Sequence, residues 1–255
     1  MEMMHTAADF HPGYAVPACS YSGVSSSARF APPGFSLWLV VARLGAGGAL
    51  RWQGPHGDEG VYVVDGTLAV DGNTLGPGGA LIVEAGVETE ARVESSTELV
   101  HVGPVAAAPP ADGLLGAADP SGHGLHVIPA GAANAIQFGA FAQVSFADST
   151  CPTCRIALFR VDGTDEPYVV GSHLHSEDEI IHVLSGALQV GPRTVAAGMS
   201  IAIPGGQRYG FRTNSAFSFL NYRADVSTVV TTPGSEPHIE TVAALRQAIA
   251  QARQG

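Results

Sequence analysis

A shift of 120 residues lays residues 59–92 on residues 179–212 without a gap, and nine of the 34 positions are identical. The identities include Glu59/Glu179 and three glycine pairs, Gly66/Gly186, Gly78/Gly198 and Gly86/Gly206. Glycines kept at fixed spacing, with apolar residues alternating between them, are what two copies of one antiparallel barrel or sandwich leave in a chain. Local texture agrees with this. Residues 36–44, 60–64, 67–70 and 81–84 are short segments rich in β-branched residues, and Asp65-Gly66 and Asp71-Gly72 have hairpin-turn chemistry. The same texture returns over 155–222. Residues 103–133, dense in Ala, Pro and Gly, read as a connection with one strand near 125–128. Only the end has a helical period: after Thr241, the residues Val242, Leu245, Ile249 and Ala252 fall on one face. The expectation is an all-β protein of two like domains with a C-terminal helix.

Composition narrows the chemistry. With 255 residues, 45% of them hydrophobic, the chain can bury real cores. All 12 basic residues are arginine, against 23 acidic ones, for a net charge of −11. That balance disfavours nucleic acid as a partner. The lack of lysine removes Schiff-base chemistry and a Walker-type phosphate loop. No run of 18 apolar residues is present and the N-terminus lacks the basic and apolar regions of a leader, so the reading is a cytoplasmic protein with no membrane partner. Cys151-Pro152-Thr153-Cys154 is a C-x-x-C without a second pair, and Cys19 is distant. Half a zinc site and a redox pair are the sharp readings. Packing cysteines are the plain one, and the one preferred.

The second copy carries a metal-ligand pattern. His173 and His175, at i and i+2, share one face of a strand, and Glu179 follows. Two imidazoles and a carboxylate suit Fe, Mn, Ni, Cu or Zn in the divalent state and leave positions open for substrate. His182, three residues beyond Glu179, should face away from the interior, and Glu177 and Asp178 read as solvated acids of a turn.

The spacing His173-x-His175-x3-Glu179-x6-Gly186 resembles the first motif of the cupins, and Gly198-x5-Pro204-x-Gly206 resembles the second. With the repeat, the chain is similar to a bicupin. The resemblance implies two tandem jelly-roll barrels, at 35–104 and 136–226, with an N-terminal arm over 1–34, a linker over 105–135 and a helical tail over 227–255. Where the family has a third histidine, this sequence has Tyr209. Tyr209 is therefore a metal ligand or a hydrogen-bond donor and proton shuttle, while Phe211 and Arg208 are expected at the substrate pocket. In the first copy Gln53, Pro55 and Thr89 replace the ligands and only Glu59 survives; His56 and Glu90 are one residue off. One divalent metal per chain follows. What the resemblance implies is a small-molecule enzyme, monomeric or a homodimer, most like a non-haem dioxygenase, with Glu179 and Tyr209 catalytic. Isomerases, lyases or cyclases, and a non-catalytic metal or ligand binder, are the alternatives.

Overall fold

The computed structural model describes residues 11–12, 16–107, 124–148, 151–231 and 238–239. Every regular element among them is a strand. The helix expected after Thr241 lies outside the described residues. The chain divides into two compact units, Ala8–Ala133 with Pro152–Arg155, and Asn134–Cys151 with Ile156–Gly255.

In the first unit the strands form one ten-stranded antiparallel sheet. Its organiser is the 16-residue strand Leu37–Trp52, which pairs with Thr97–Pro104 along its first half and with Thr89–Val93 along its second. One strand shared by two sets of partners curls the sheet around a core of Trp38, Val40, Leu50, Val61, Leu81 and Leu99. Residues 19–30, expected within an arm, are instead the strand Cys19–Phe30, hydrogen-bonded to Leu37–Trp52. The strand Leu125–Ile128 pairs with Ala80–Val83 in the same sheet rather than standing alone in a linker.

The second unit has two six-stranded sheets. One contains Ala157–Gly163, Phe217–Arg223, Glu179–Ser185 and Ser200–Ile203; the other contains Ala187–Val190, Tyr209–Thr213 and Tyr168–His175. Phe159, Ile181, Ile203, Phe217 and Phe219 from the first sheet and Leu188 and Phe211 from the second make one core. The alternation of each strand thus delivers its apolar face between the sheets.

Three strands of the first unit recur in the second at the 120-residue shift. Glu59–Asp65, Ala80–Val83 and Thr89–Val93 correspond under the 120-residue shift to Glu179–Ser185, Ser200–Ile203 and Tyr209–Thr213. Asp71 and Gly72 both have positive φ and join Val70 to Asn73 in a two-residue hairpin, as their chemistry predicts. Asp65-Gly66 does not. The strand ending at Asp65 pairs with Ala80–Val83 and Thr97–Pro104, and the one starting at Leu68 pairs elsewhere, so this turn carries the chain to new neighbours.

Candidate functional site

A β-irregularity between Val170 and His173 breaks the pairing of Tyr168–His175 with Tyr209–Thr213, and beyond it His173 lies opposite Tyr209. Such irregularities re-aim side chains. The rings of His173 and Tyr209 approach to 4.5 Å between centroids, and those of His173 and His175 to 4.9 Å. Glu179 enters from the facing sheet, with Oε2 3.9 Å from His175 Nε2. All four residues expected at the centre are brought together.

His173, His175 and Tyr209 line the polar end of a cavity of about 110 Å³ whose walls include Phe141, Phe159, Tyr168, Ile181, Phe211, Phe217 and Phe219, while Glu179 is fully buried and meets the lining through Asn221 and Arg223. Phe211 is a wall, as expected. Arg208 is not: it is one residue out of phase with Tyr209 and Phe211, and its guanidinium reaches the Ser172 carbonyl instead. The arginine of the cavity is Arg223. Its Nε and Nη2 donate to Glu179 Oε2 at 3.0 and 2.8 Å, and Nη2 also lies 3.1 Å from His175 Nε2. A guanidinium only donates, so His175 Nε2 accepts there. Asn221 Nδ2 donates to the same carboxylate oxygen at 3.0 Å. Phe217, Phe219, Asn221 and Arg223 follow at every second position, so period-two reading continued past Arg212 would have found them.

Burial raises the Glu179 carboxyl, but the charge of Arg223, then His175 and hydrogen bonds from Tyr209 and Asn221 outweigh it and bring its pKa down to about 2. The carboxylate is thus ionised at neutral pH, and its second oxygen, Oε1, is buried without a hydrogen-bond partner. His173 is oriented by its own backbone, Nδ1 donating to the Gly171 carbonyl at 2.9 Å, which leaves Nε2 with a lone pair. Two imidazoles, an ionised carboxylate and a phenol are a donor set that fits a divalent cation.

His182 sits on the other side of the strand, its Nδ1 2.9 Å from Ser200 Oγ, as alternation requires. Asp178 also has a structural role: Oδ1 accepts the Gly205 N–H at 2.8 Å and pins the turn beside the site. Burial pushes the His182 pKa from 6.5 down to about 4. The native state therefore binds fewer protons than the unfolded chain between those values. Stability is fully present above pH 6.5 and falls by about 3 kcal/mol as pH drops to about 4. In His182→Gln the slope of unfolding free energy against pH should flatten across that window; an unchanged slope would show that another group is responsible.

The first unit's centre is filled. Trp52 Nε1 donates to Glu59 Oε2 at 2.7 Å, and His101 Nε2 donates to the same oxygen at 2.8 Å. Tyr21 caps the chain of hydrogen bonds at His101 Nδ1, 2.5 Å away. Glu59 Oε1, like Glu179 Oε1, has no hydrogen-bond partner, so the two units differ in the imidazoles and not in the carboxylate. Where Arg223 stands in the second copy the first has Gly103, and a Cβ there would lie 2.5 Å from the Trp38 ring. The nitrogens of His56 lie on the carbonyl oxygens of Gly57 and Val87, 2.7 and 3.0 Å away, which occupies both.

The cysteines depart from the packing role expected. Cys151 and Cys154 are disulfide-bonded. Their sulfur atoms, with donor atoms of Glu84 and His126, all lie within 4.8 Å of one another, the one such His/Cys/Asp/Glu group among the described residues.

No family model matches the chain, and no curated protein does. Solved structures do. A variant of Bacillus subtilis oxalate decarboxylase superposes with a TM-score of 0.66 over 90% of this chain and 79% of that one, at 15% identity. The same enzyme at pH 4.6 gives 0.64 over 88% and 76%, also at 15% identity. A third structure of it, from a study of its Mn(II) centres, gives 0.63 over 88% and 77%, at 15% identity. The likeness is one of fold, and that fold is the cupin fold the two motifs resemble. A divalent metal ion is consistent with the side chains present.

Proposed function

We propose that this chain is a metal-dependent small-molecule enzyme of the bicupin kind, working in the cavity of the second unit. The observation that carries the reading is the convergence of His173, His175 and Tyr209 at the polar end of an aromatic-walled cavity, with the ionised Glu179 carboxylate 3.9 Å from His175. His173, His175 and Glu179 would hold one divalent ion, which when bound supplies Lewis acidity towards a chelating substrate or dioxygen. The rest of the work falls to the chain itself. The Gly171 carbonyl sets the His173 tautomer, Arg223 and Asn221 fix the Glu179 carboxylate, and the phenylalanine walls exclude water. Tyr209 holds a phenolic proton beside the imidazoles and hands it to substrate, or takes one, during turnover.

A dioxygenase-like oxidoreductase is the first reading, because the site combines imidazoles with room for an exchangeable ligand. A lyase is the second, supported by the decarboxylases that share the fold. Reconstitution with Fe(II) or Mn(II), followed by oxygen uptake and carbon dioxide release across a panel of chelating organic acids, separates the two. His173→Ala and His175→Ala should each remove the ion from the second unit, whereas His56→Ala should not. Tyr209→Phe should keep the ion while cutting turnover by about 10²-fold. Retention of the ion by the His173→Ala/His175→Ala double variant would overturn the assignment.

A further inference from the structure

We propose that Glu84, His126, Cys151 and Cys154 form a redox-gated cation site, closed while the cysteines are joined and able to take one zinc-like ion once they are reduced. The inference is independent of the second unit's cavity: Glu84, His126 and Cys154 belong to the first unit, and Cys151 is tied to them covalently, by its peptide bond to Pro152 and its disulfide to Cys154. The scaffold is well built. Glu84 directly follows the strand Ala80–Val83, and Leu125–Ile128 pairs with that strand, Leu125 opposite Val83 and His126 opposite Ile82. His126 Nε2 donates to Glu84 Oε1 at 2.5 Å, the Thr153 hydroxyl donates to the same oxygen, and the Gly124 N–H donates to Oε2 at 2.7 Å. Asp58 ties the remaining pieces together: Oδ1 accepts the Ala85 N–H at 2.8 Å and Oδ2 accepts the Arg155 N–H at 2.9 Å. The residues following Glu84 and Cys154 are thus clamped by one carboxylate, and Cys151 is held to the group by its bond to Cys154.

The donor set is that of a zinc site. Two sulfurs, an imidazole nitrogen and a carboxylate oxygen match the four-coordinate preference of zinc, whose bonds of about 2.0–2.3 Å separate neighbouring donors by roughly 3.5 Å. Donors already within 4.8 Å of one another need only small shifts to reach that. Two thiolates beside a carboxylate would carry three negative charges into a largely buried place, a cost that a divalent cation offsets. His126, Thr153 and the Gly124 N–H all donate to Glu84, so its carboxylate is already aimed into the group. Glu84 lies within the matched segment, but its counterpart there is Pro204, so the second unit has no carboxylate at this position.

The chemistry balances with an external dithiol as reductant. The dithiol gives two electrons and two protons to the Cys151–Cys154 bond and leaves as its own disulfide. Binding of the cation then expels the two thiol protons to water.

Cobalt(II) reports on the idea directly, because thiolate ligation gives an intense sulfur-to-cobalt charge-transfer band in the near ultraviolet. Full-length protein reduced with a dithiol, then freed of it without air, should develop this band until one thiolate-bound ion is held per chain, and zinc should bleach it. Oxidised protein should show none. Cys154→Ser should lose the band and His126→Ala should weaken the affinity at least tenfold, while His173→Ala/His175→Ala leaves both unchanged. No band in the reduced protein, or a band of equal strength in the oxidised protein or in Cys154→Ser, would overturn the proposal. Because His126 is partly exposed, its variant tests the site without disturbing a core.

Discussion

Replacing Arg223 with methionine should cost the second unit about 3–5 kcal/mol of stability, the penalty for stranding a buried charge. Arg223 donates to Glu179 Oε2 through both Nε and Nη2, and both side chains are almost wholly out of water. Without the guanidinium, the carboxylate loses the largest influence that holds its pKa near 2 and faces the full cost of burial. Two further measurements locate the cause. Arg223→Met combined with Glu179→Gln should recover most of the loss, since the charge that needed a partner is gone. Added Mn(II) or Zn(II) should raise the urea midpoint of Arg223→Met more than that of the wild type, because the ion then supplies the missing positive charge. A single variant within about 1 kcal/mol of wild type, by urea unfolding followed in far-ultraviolet circular dichroism, would show that Arg223 is not the counter-charge.

Gly186→Ala and Gly66→Ala should each cost more than about 3 kcal/mol, for two reasons that act together. The φ angles are +70° and +84°, a conformation in which an L side chain is strained by roughly 1–2 kcal/mol. The added Cβ would also fall 2.2 Å from the Ala216 carbonyl oxygen in one unit and 2.3 Å from that of Ser96 in the other. Those atoms are backbone, just before the strands Phe217–Arg223 and Thr97–Pro104, and cannot swing aside. Gly191 provides the control, with φ +57° and nothing within 4 Å of its Cβ. Gly191→Ala should therefore cost only about 1–2 kcal/mol. Equal losses at Gly186 and Gly191 would assign the effect to backbone conformation alone.

These glycines explain why the 120-residue correspondence was legible: a position that cannot take a side chain in either unit is glycine in both. The ligand pair His173 and His175 was equally legible, because i and i+2 on a strand share a face whatever the tertiary structure. Cys19–Phe30 was not. Its sequence, CSYSGVSSSARF, is mostly small and polar, and it joins the sheet through backbone hydrogen bonds to Leu37–Trp52 that leave little hydrophobic signature. Arg223 was missed because the matched segment stops at Arg212, and the counterpart of Arg223 is Gly103, which gives no hint of a cation. The partners of Cys151 and Cys154 could not be read at all. Glu84 and His126 reach them only through sheet pairing between distant segments, which spacing along the chain does not encode.

The filling of the first unit's centre also decides what an optical experiment on this protein observes. Both of the chain's tryptophans, Trp38 and Trp52, are buried around His101 and Glu59, and the second unit has none. Indole fluorescence therefore follows the unfolding of the first unit alone, with tyrosine emission left to the second. Should the two units melt separately, the fluorescence and circular dichroism curves would part company, and a ligand entering the second cavity would leave the indole spectrum without a direct contact to register.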